Sequence, residues 1–446
     1  MLEDGALLLR LADGSEHRSA LDRHLAVVPP RDDQGRLPAD LVVRGGTVML
    51  GASDEAENPL GLVAHGAVAC WGPRVVAVGL ETEVLAGIHA TPDHVELDAR
   101  GGLVTPGLVD PHTHVVFGGD RSGEFALRAA GASYQEIAAA GGGIQSTVLA
   151  TRSADDSDLE AAATQRIAGL LERGVTTAEA KSGYDLTADG ELRLLEVIGR
   201  LDRTLPIDLS PSLLGAHVLA PEYTDHRDGY VDLVCETMIP TAARLCLADA
   251  VDVYCDPGAF TLDESRRILE TARAHGLARR IHAEQFENME SAGMAALLGA
   301  VSADHLEAVS KSSMKAMAKA GTVAVLLPGA ALTLDCPWPP AGALLHAGVD
   351  LALGTDLNPG TSMTENLHLM MSLGCMKMGL TVDQAWAAVL TGAARAACRP
   401  RAGRLTAGGP ADLVVFDCAH HAAVPYHLGG NHVRTVIKAG RVALER

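Results

Sequence analysis

PGLVDPHTHVVFGGDR, residues Pro106–Arg121, carries an apolar strand into a pair of histidines. Leu108 and Val109 end the strand, and Pro111, which has no backbone N–H, cuts its hydrogen-bonding ladder. His112 and His114 follow at spacing i, i+2. In an extended chain that spacing puts both imidazoles on one face, where they can share a metal ion. Taken alone, the pair is weak evidence, and the plainer reading is two polar residues leaving a strand. The deciding question is whether later strands bring further ligands to the same end of the same sheet.

Going outward, the totals bound the answer. A chain of 446 residues buries a large core and has room for more than one domain. Its 36 basic against 56 acidic residues give a net charge of −20, which argues against a nucleic-acid surface. An anionic substrate is still compatible, because pocket charge is set locally. Eight scattered cysteines without a Cys-x-x-Cys pair read as reduced thiols in a reducing compartment. The N-terminus has acids where a signal peptide needs bases, and no segment looks transmembrane. A cytoplasmic protein with no membrane partner is expected.

Residues 1–38 carry the breaker cluster PPRDDQGRLP and read as an N-terminal extension with little core of its own. From Asp40 the pattern turns to short β runs (DLVVRGGTVML, GAVACWGPRVVAVG, HVELDARGGLV), and the C-terminus returns to it with ADLVVFD and VRTVIKAGRVAL. Both ends are therefore expected to build one small β-sandwich domain, residues 39–104 with 400–446. Between them, residues 105–399 alternate apolar β runs with amphipathic helices. The runs are LVTPGLVDPH, VTTAEAKS, IDLSPSLLGAH, VDVYCD, ARRIHAE, VSADHLE, TVAVLLP and DLALGTD. Helix candidates such as TLDESRRILETARAHG and SKSSMKAMAKAG open with Ser or Thr and close with Gly, as caps require. The fold class is thus α/β, a (β/α)8 TIM-like barrel.

Chemistry in such a barrel sits at the C-terminal strand ends. Those ends read His112 and His114, then Glu179 and Lys181, then His217, His282, His305 and Asp356. Any one of them is more often a solvated residue than a ligand, but five histidines and an aspartate on one rim point to a metal. The most economical ligand set is His112, His114, His282 and Asp356, which suits Zn2+ or Fe2+/Fe3+. A divalent ion there lowers the pKa of coordinated water to about 7. Asp356 is placed to accept the proton as the hydroxide attacks, and His305 to hydrogen-bond the water or the developing oxyanion. A second ion usually needs a carboxylated lysine on the fourth strand, and VDVYCD has none. One metal is expected.

Arg121 lies in a Gly-rich loop that can turn it over the mouth, and its planar fork suits a carboxylate. Tyr184 in KSGYDL and the run Asn358–Ser362 fall just past strand ends, so they border the pocket. Ala138–Thr147 is glycine-rich but follows a helix, so it is not a phosphate loop. LHLMMSLGCMKMG reads as a buried helix face.

With these residues in hand, the chain resembles the imidazolonepropionases of the amidohydrolase superfamily. The blocks that carry the resemblance include PGLVDPHTHVVFGGDR, YQEIAAAGGGIQSTVLATR, EAKSGYDL, LLGAHVLAPEY, YVDLVCETMIP, SADHLE, GTDLNPGTSMTENLHLMMSLG and VPYHLGGNHVRTVIKAGR. They span roughly residues 40–440. The resemblance implies ligation by His112, His114, His282 and Asp356 and a catalytic His305. It also implies substrate contacts from Arg121, Tyr184, His217, Gln285, Asn358, Gly360 and Thr361. The implied reaction is hydrolysis of 4-imidazolone-5-propanoate, a small anionic cyclic amide, to N-formimidoyl-L-glutamate, by a homodimer. Two departures stand out. Gln285 occupies a place where many members carry glutamate, and glutamine cannot move a proton. The N-terminal extension is longer than the family usually carries.

Three rival readings remain. A nucleobase deaminase on the same barrel would also use His-x-His, two later histidines and an aspartate, but it needs a proton-shuttling glutamate where Gln285 stands. Glu284 is adjacent, and strand alternation points it the other way. A non-enzymatic scaffold would have lost ligands, and none is lost. Hydrolysis of a related cyclic amide shares the mechanism.

Overall fold

The computed structural model describes residues 29–53, 55–131 and 142–446, together with the backbone of 2–3, 6–10 and 16–19. Part of the N-terminal extension and most of the YQEIAAAGGG stretch lie outside the described residues. The chain divides into two compact units: 1–107 with 404–420 and 433–446, and 108–403 with 421–432. The joins expected from sequence lay at 104/105 and 399/400, with all of 400–446 in the β domain; here 421–432 belongs to the second unit.

The first unit is built on one eight-stranded sheet drawn from both chain ends. Its longest strand, Leu37–Met49, bends at Gly45–Gly46, where the register shifts. Before the bend it pairs with Ile88–Asp98, and after it with Leu103–Pro106. The C-terminal strand Leu413–Phe416 then pairs with Leu103–Pro106. Valine-rich clusters around Val43, Val68 and Val415 and around Val42, Ala67 and Val76 form its core. The N-terminal strands Leu2–Glu3, Ala6–Arg10 and Glu16–Ser19 form a separate three-stranded sheet.

The second unit is the expected barrel. Its parallel strands are β1 (Leu108–Asp110), β2 (Val175–Lys181), β3 (Asp208–Ala216), β4 (Ala250–Cys255), β5 (Ala278–Ala283), β6 (Ser302–His305), β7 (Val323–Leu326) and β8 (Leu351–Leu353). They hydrogen-bond in sequence order. All seven residues of β2 are buried, charged ones included, as befits a parallel strand covered on both faces. The helices begin where their caps predict. Thr261 and Glu264 form a capping box at Leu262–Ala274, and Ser310 caps Lys311–Ala320, which Gly321 ends in left-handed conformation. Leu367–Met378 buries Leu367, His368, Met370, Met371 and Leu373, the face read from its methionines.

The ring closes just beyond the ends of β1 and β8, through a parallel bridge between Thr113 and Leu357. Asp356 N donates to His112 O at 3.1 Å, and His114 N donates to Leu357 O at 2.9 Å. Val109, Val325, Ala352 and Ala393 pack behind this seam.

Candidate active site

Because the seam joins the segments after β1 and β8, it sets Asp356 against the paired histidines. Asp356 Oδ1 lies 3.4 Å from His112 Nε2 and 3.6 Å from His114 Nε2. The chain turns left-handed at three strand ends, Glu284 (φ 56°), His305 (φ 78°) and Asp356 (φ 51°). Such a backbone is uncommon outside glycine and is held only by surrounding structure.

The potential ligand atoms fall into two overlapping groups, His112–His114–Asp356 and His112–His282–His305, each with its atoms within 4.8 Å of one another. His112 belongs to both. The four residues expected as ligands are thus brought together around His112, and His305 stands as near to His112 and His282 as a further ligand would. All five are buried. Burial holds His112 and His114 well below the ordinary imidazole range and brings His282 to about 4. Burial lifts Asp356 to about 6 against the pull of His305. Burial lowers His305 too, but the Glu307 carboxylate, 3.9 Å from its Nδ1, together with Asp356 and Asp304 outweighs that and raises it.

Neutral rings with free nitrogens are what a divalent ion needs. His112 Nε2 is buried with no hydrogen-bond partner among the described residues, although a polar atom in that position ordinarily has one. Nitrogens with one carboxylate oxygen form a donor set that suits a first-row divalent ion. The residues present therefore fit a metal.

Toward the pocket, Tyr184 packs against His114 and His217, with ring centroids 5.6 and 5.3 Å apart. His217 Nδ1 meets Gly183 O at 2.9 Å, which leaves Nε2 for other work. Tyr254 donates to Gln285 Oε1 at 2.9 Å, so the amide NH2 of Gln285 is the end left for a ligand. Glu284 turns away, accepting from Ala292 N and Ser313 Oγ, as strand alternation anticipated.

Arg121, Gly360 and Thr361 line one cavity of about 370 Å³ with Phe117, Phe125 and Arg166. Arg121 is already paired, 2.9 Å from Glu124. A Cβ on Gly360 would meet Arg121 Nη1 at 2.6 Å, so a side chain there would push the guanidinium off its present place on the loop. Asn358 spends its side chain on its own turn. Its Oδ1 accepts from Gly360 N and Thr361 N, both at 2.8 Å, and its Nδ2 donates to Asp356 O at 2.7 Å.

Glu179 and Lys181, read from sequence as rim residues, are fully buried and paired with each other at 2.9 Å. Sequence reasoning passed over Asp252, Tyr254, Asp304 and Glu307. The available signal was position: Asp252 and Tyr254 share one face of β4, and Asp304 precedes His305 at the end of β6.

The profile of the amidohydrolase family, whose members are metal-dependent, matches residues 103–443. An imidazolonepropionase of Myxococcus xanthus is 45% identical over 412 residues, 91% of this chain and 98% of the relative. One of Geobacillus thermodenitrificans is 43% identical over 92% of this chain and 97% of its own. One of Cupriavidus pinatubonensis is 47% identical over 83% and 87%. Among solved structures, an adenosine deaminase from Xanthomonas campestris with bound zinc superposes with a TM-score of 0.69 at 19% identity, covering 94% of each chain. A 5-methylcytosine deaminase from Klebsiella pneumoniae gives 0.69 at 17%, covering 91% of this chain and 97% of its own. At such identities these structures share the fold, whereas the sequence relatives go further: the chain belongs to the amidohydrolase family, among its imidazolonepropionases.

Proposed function

We propose that this chain hydrolyses the ring amide of 4-imidazolone-5-propanoate to N-formimidoyl-L-glutamate, a step of histidine degradation. One observation carries the reading: the His112 and His114 imidazoles meet Asp356 at 3.4 and 3.6 Å in a chain 45% identical to an imidazolonepropionase. His112, His114, His282 and Asp356 would hold one divalent ion, zinc or iron. When bound, such an ion polarises a carbonyl and lowers the pKa of water to about 7.

The protein side chains do the rest. Arg121, its guanidinium lying on the Gly360 loop, binds the propanoate carboxylate. Asn358, Gly360 and Thr361 keep that loop in place through the bonds from Asn358. Tyr184 and the free edge of His217 border the imidazolone ring, and the Gln285 amide donates to it. Asp356 accepts a proton from the attacking water, and His305, its imidazole favoured as a cation by Glu307, donates to the carbonyl oxygen as charge grows there. When the carbon–nitrogen bond breaks, Asp356 returns the proton to the departing ring nitrogen. The carbonyl carbon becomes a carboxylate and the nitrogen stays in the formimidoyl group. Gln285 moves no proton, so proton traffic falls to Asp356 and His305, a division unlike that of a deaminase.

The test is to follow the ultraviolet absorbance of 4-imidazolone-5-propanoate with metal-loaded and chelated enzyme. Decay with the first and not the second is expected; no decay with metal-loaded enzyme discards the reading. The same proposal extends to a homodimer, read out by sedimentation, and to a cytoplasmic setting, supported by eight cysteines that are all free. No helix among the described residues is long and apolar enough to cross a membrane.

A further inference from the structure

Next to the histidines lies a group of buried charges that the proposed mechanism leaves unused. Glu179 and Lys181 come from β2, Asp252 from β4, Arg280 from β5 and Asp304 from β6, and every one is 0% exposed. Lys181 Nζ is at the centre, 2.7 Å from Asp252 Oδ2, 2.9 Å from Glu179 Oε1 and 3.8 Å from Asp304 Oδ2. The two aspartate oxygens that face the lysine also face the histidines. His112 Nδ1 lies 2.6 Å from Asp304 Oδ2, and His282 Nδ1 lies 3.1 Å from Asp252 Oδ2. The first is an aligned hydrogen bond. The second is a contact at hydrogen-bond distance whose ring is not turned squarely onto the oxygen.

We propose that Lys181 is a positioning residue for the metal site, holding Asp304 and Asp252 so that each accepts a proton from the Nδ1 of its histidine. An ammonium has three donors and no acceptor, so Asp252 Oδ2 at 2.7 Å accepts from it, while Asp304 Oδ2 at 3.8 Å is drawn by its charge alone. A carboxylate oxygen offers only lone pairs, so the imidazole nitrogen at each of these two oxygens has to donate, which fixes the Nδ1–H tautomer of His112 and His282. Each ring is left with its Nε2 lone pair, and in His112 that atom is the one without a hydrogen-bond partner among the described residues. Carboxylates placed behind metal-binding imidazoles orient them and raise their basicity. Here one lysine serves two such pairs, each with one tight and one looser contact. Losing it releases both rings, although Lys181 touches neither.

This inference rests on the proposed ligand roles of His112 and His282, and its test uses no substrate. In metal-free wild-type protein labelled with nitrogen-15 at histidine, long-range proton–nitrogen spectra report each tautomer. Nδ1–H is expected at both His112 and His282; Nε2–H at either ring overturns the proposal. Lys181→Met keeps an unbranched side chain as far as the ε position and removes the ammonium with its donors. By chelator competition it should bind zinc about 10–100-fold more weakly, with the two rings spread over both tautomers. A folded Lys181→Met protein with wild-type zinc affinity and unchanged tautomers means that the lysine merely balances charge in the core, and the proposal falls. Should the variant not fold, the wild-type spectra still decide. If His282→Ala binds zinc as tightly as wild type, the ligand assignment has failed, whatever the tautomers show.

Discussion

Asp356 Oδ1 lies 3.4 Å from His112 Nε2, and the two residues extend the last and first strands of the barrel across its closing bridge. An ion held by both would lace the barrel shut. Ligand that binds only the folded state stabilises it, by about 4 kcal/mol at a thousandfold excess over Kd. We expect chelation to lower the calorimetric melting temperature by several degrees and zinc to restore it. An unchanged melting temperature on removal of metal would count against ligation across the seam.

His282 reaches the same centre from β5, its ring centroid 4.6 Å from that of His112 and 5.8 Å from that of His114. His282→Ala should abolish bound metal and catalytic turnover together, as seen by elemental analysis and steady-state rates. If the variant retained both, the ligand set would have to be redrawn without it.

Arg121 is assigned to the substrate rather than to the metal. A hydrogen bond to a charged group is worth about 1.5–3 kcal/mol, so Arg121→Ala should raise KM by roughly 10–100-fold. Metal content should stay as in wild type. Gly360→Ala should shift KM the same way, because its Cβ would fall 2.6 Å from Arg121 Nη1. Unaltered kinetics in Arg121→Ala would remove its carboxylate role.

The barrel and its histidines were legible in the sequence because strand-end position follows from alternation and from helix caps such as Thr261 and Ser310. His112, His114, His282 and Asp356 needed only the count of strands. What could not be read was depth. Glu179 and Lys181 lie two and zero residues from the end of β2, yet they point into the charged core, because inward or outward direction depends on the stagger of neighbouring strands. The left-handed turns at His305 and Asp356 were hidden for a related reason: Asp and His enter that region more readily than most residues, but tertiary packing decides which of them do. Arg121 looked free in the sequence, and its pairing with Glu124 three residues on shows how a short-range partner was overlooked.

Away from the site, His368 is buried in the helix Leu367–Met378, and burial together with the charge of Arg173 drives it from 6.5 to about 3. A base whose pKa is depressed by folding stays neutral in the native state while the unfolded chain takes up a proton. Its stabilising share is therefore complete above 6.5 and is lost as pH falls toward 3. His368→Gln should flatten the fall in unfolding free energy between about pH 6 and 4 by up to about 1.4 kcal/mol per pH unit. Parallel denaturation curves for the two proteins across that range would exclude the effect.

The sheet of the first unit seats Leu413–Phe416, from the far end of the polypeptide, against Leu103–Pro106 from before the barrel. During synthesis the barrel strands through Leu353 leave the ribosome before that partner exists. Until translation is nearly finished, Leu103–Pro106 presents an open edge on that side, so a nascent chain stalled or cut short after the barrel would expose a sticky flank to its neighbours.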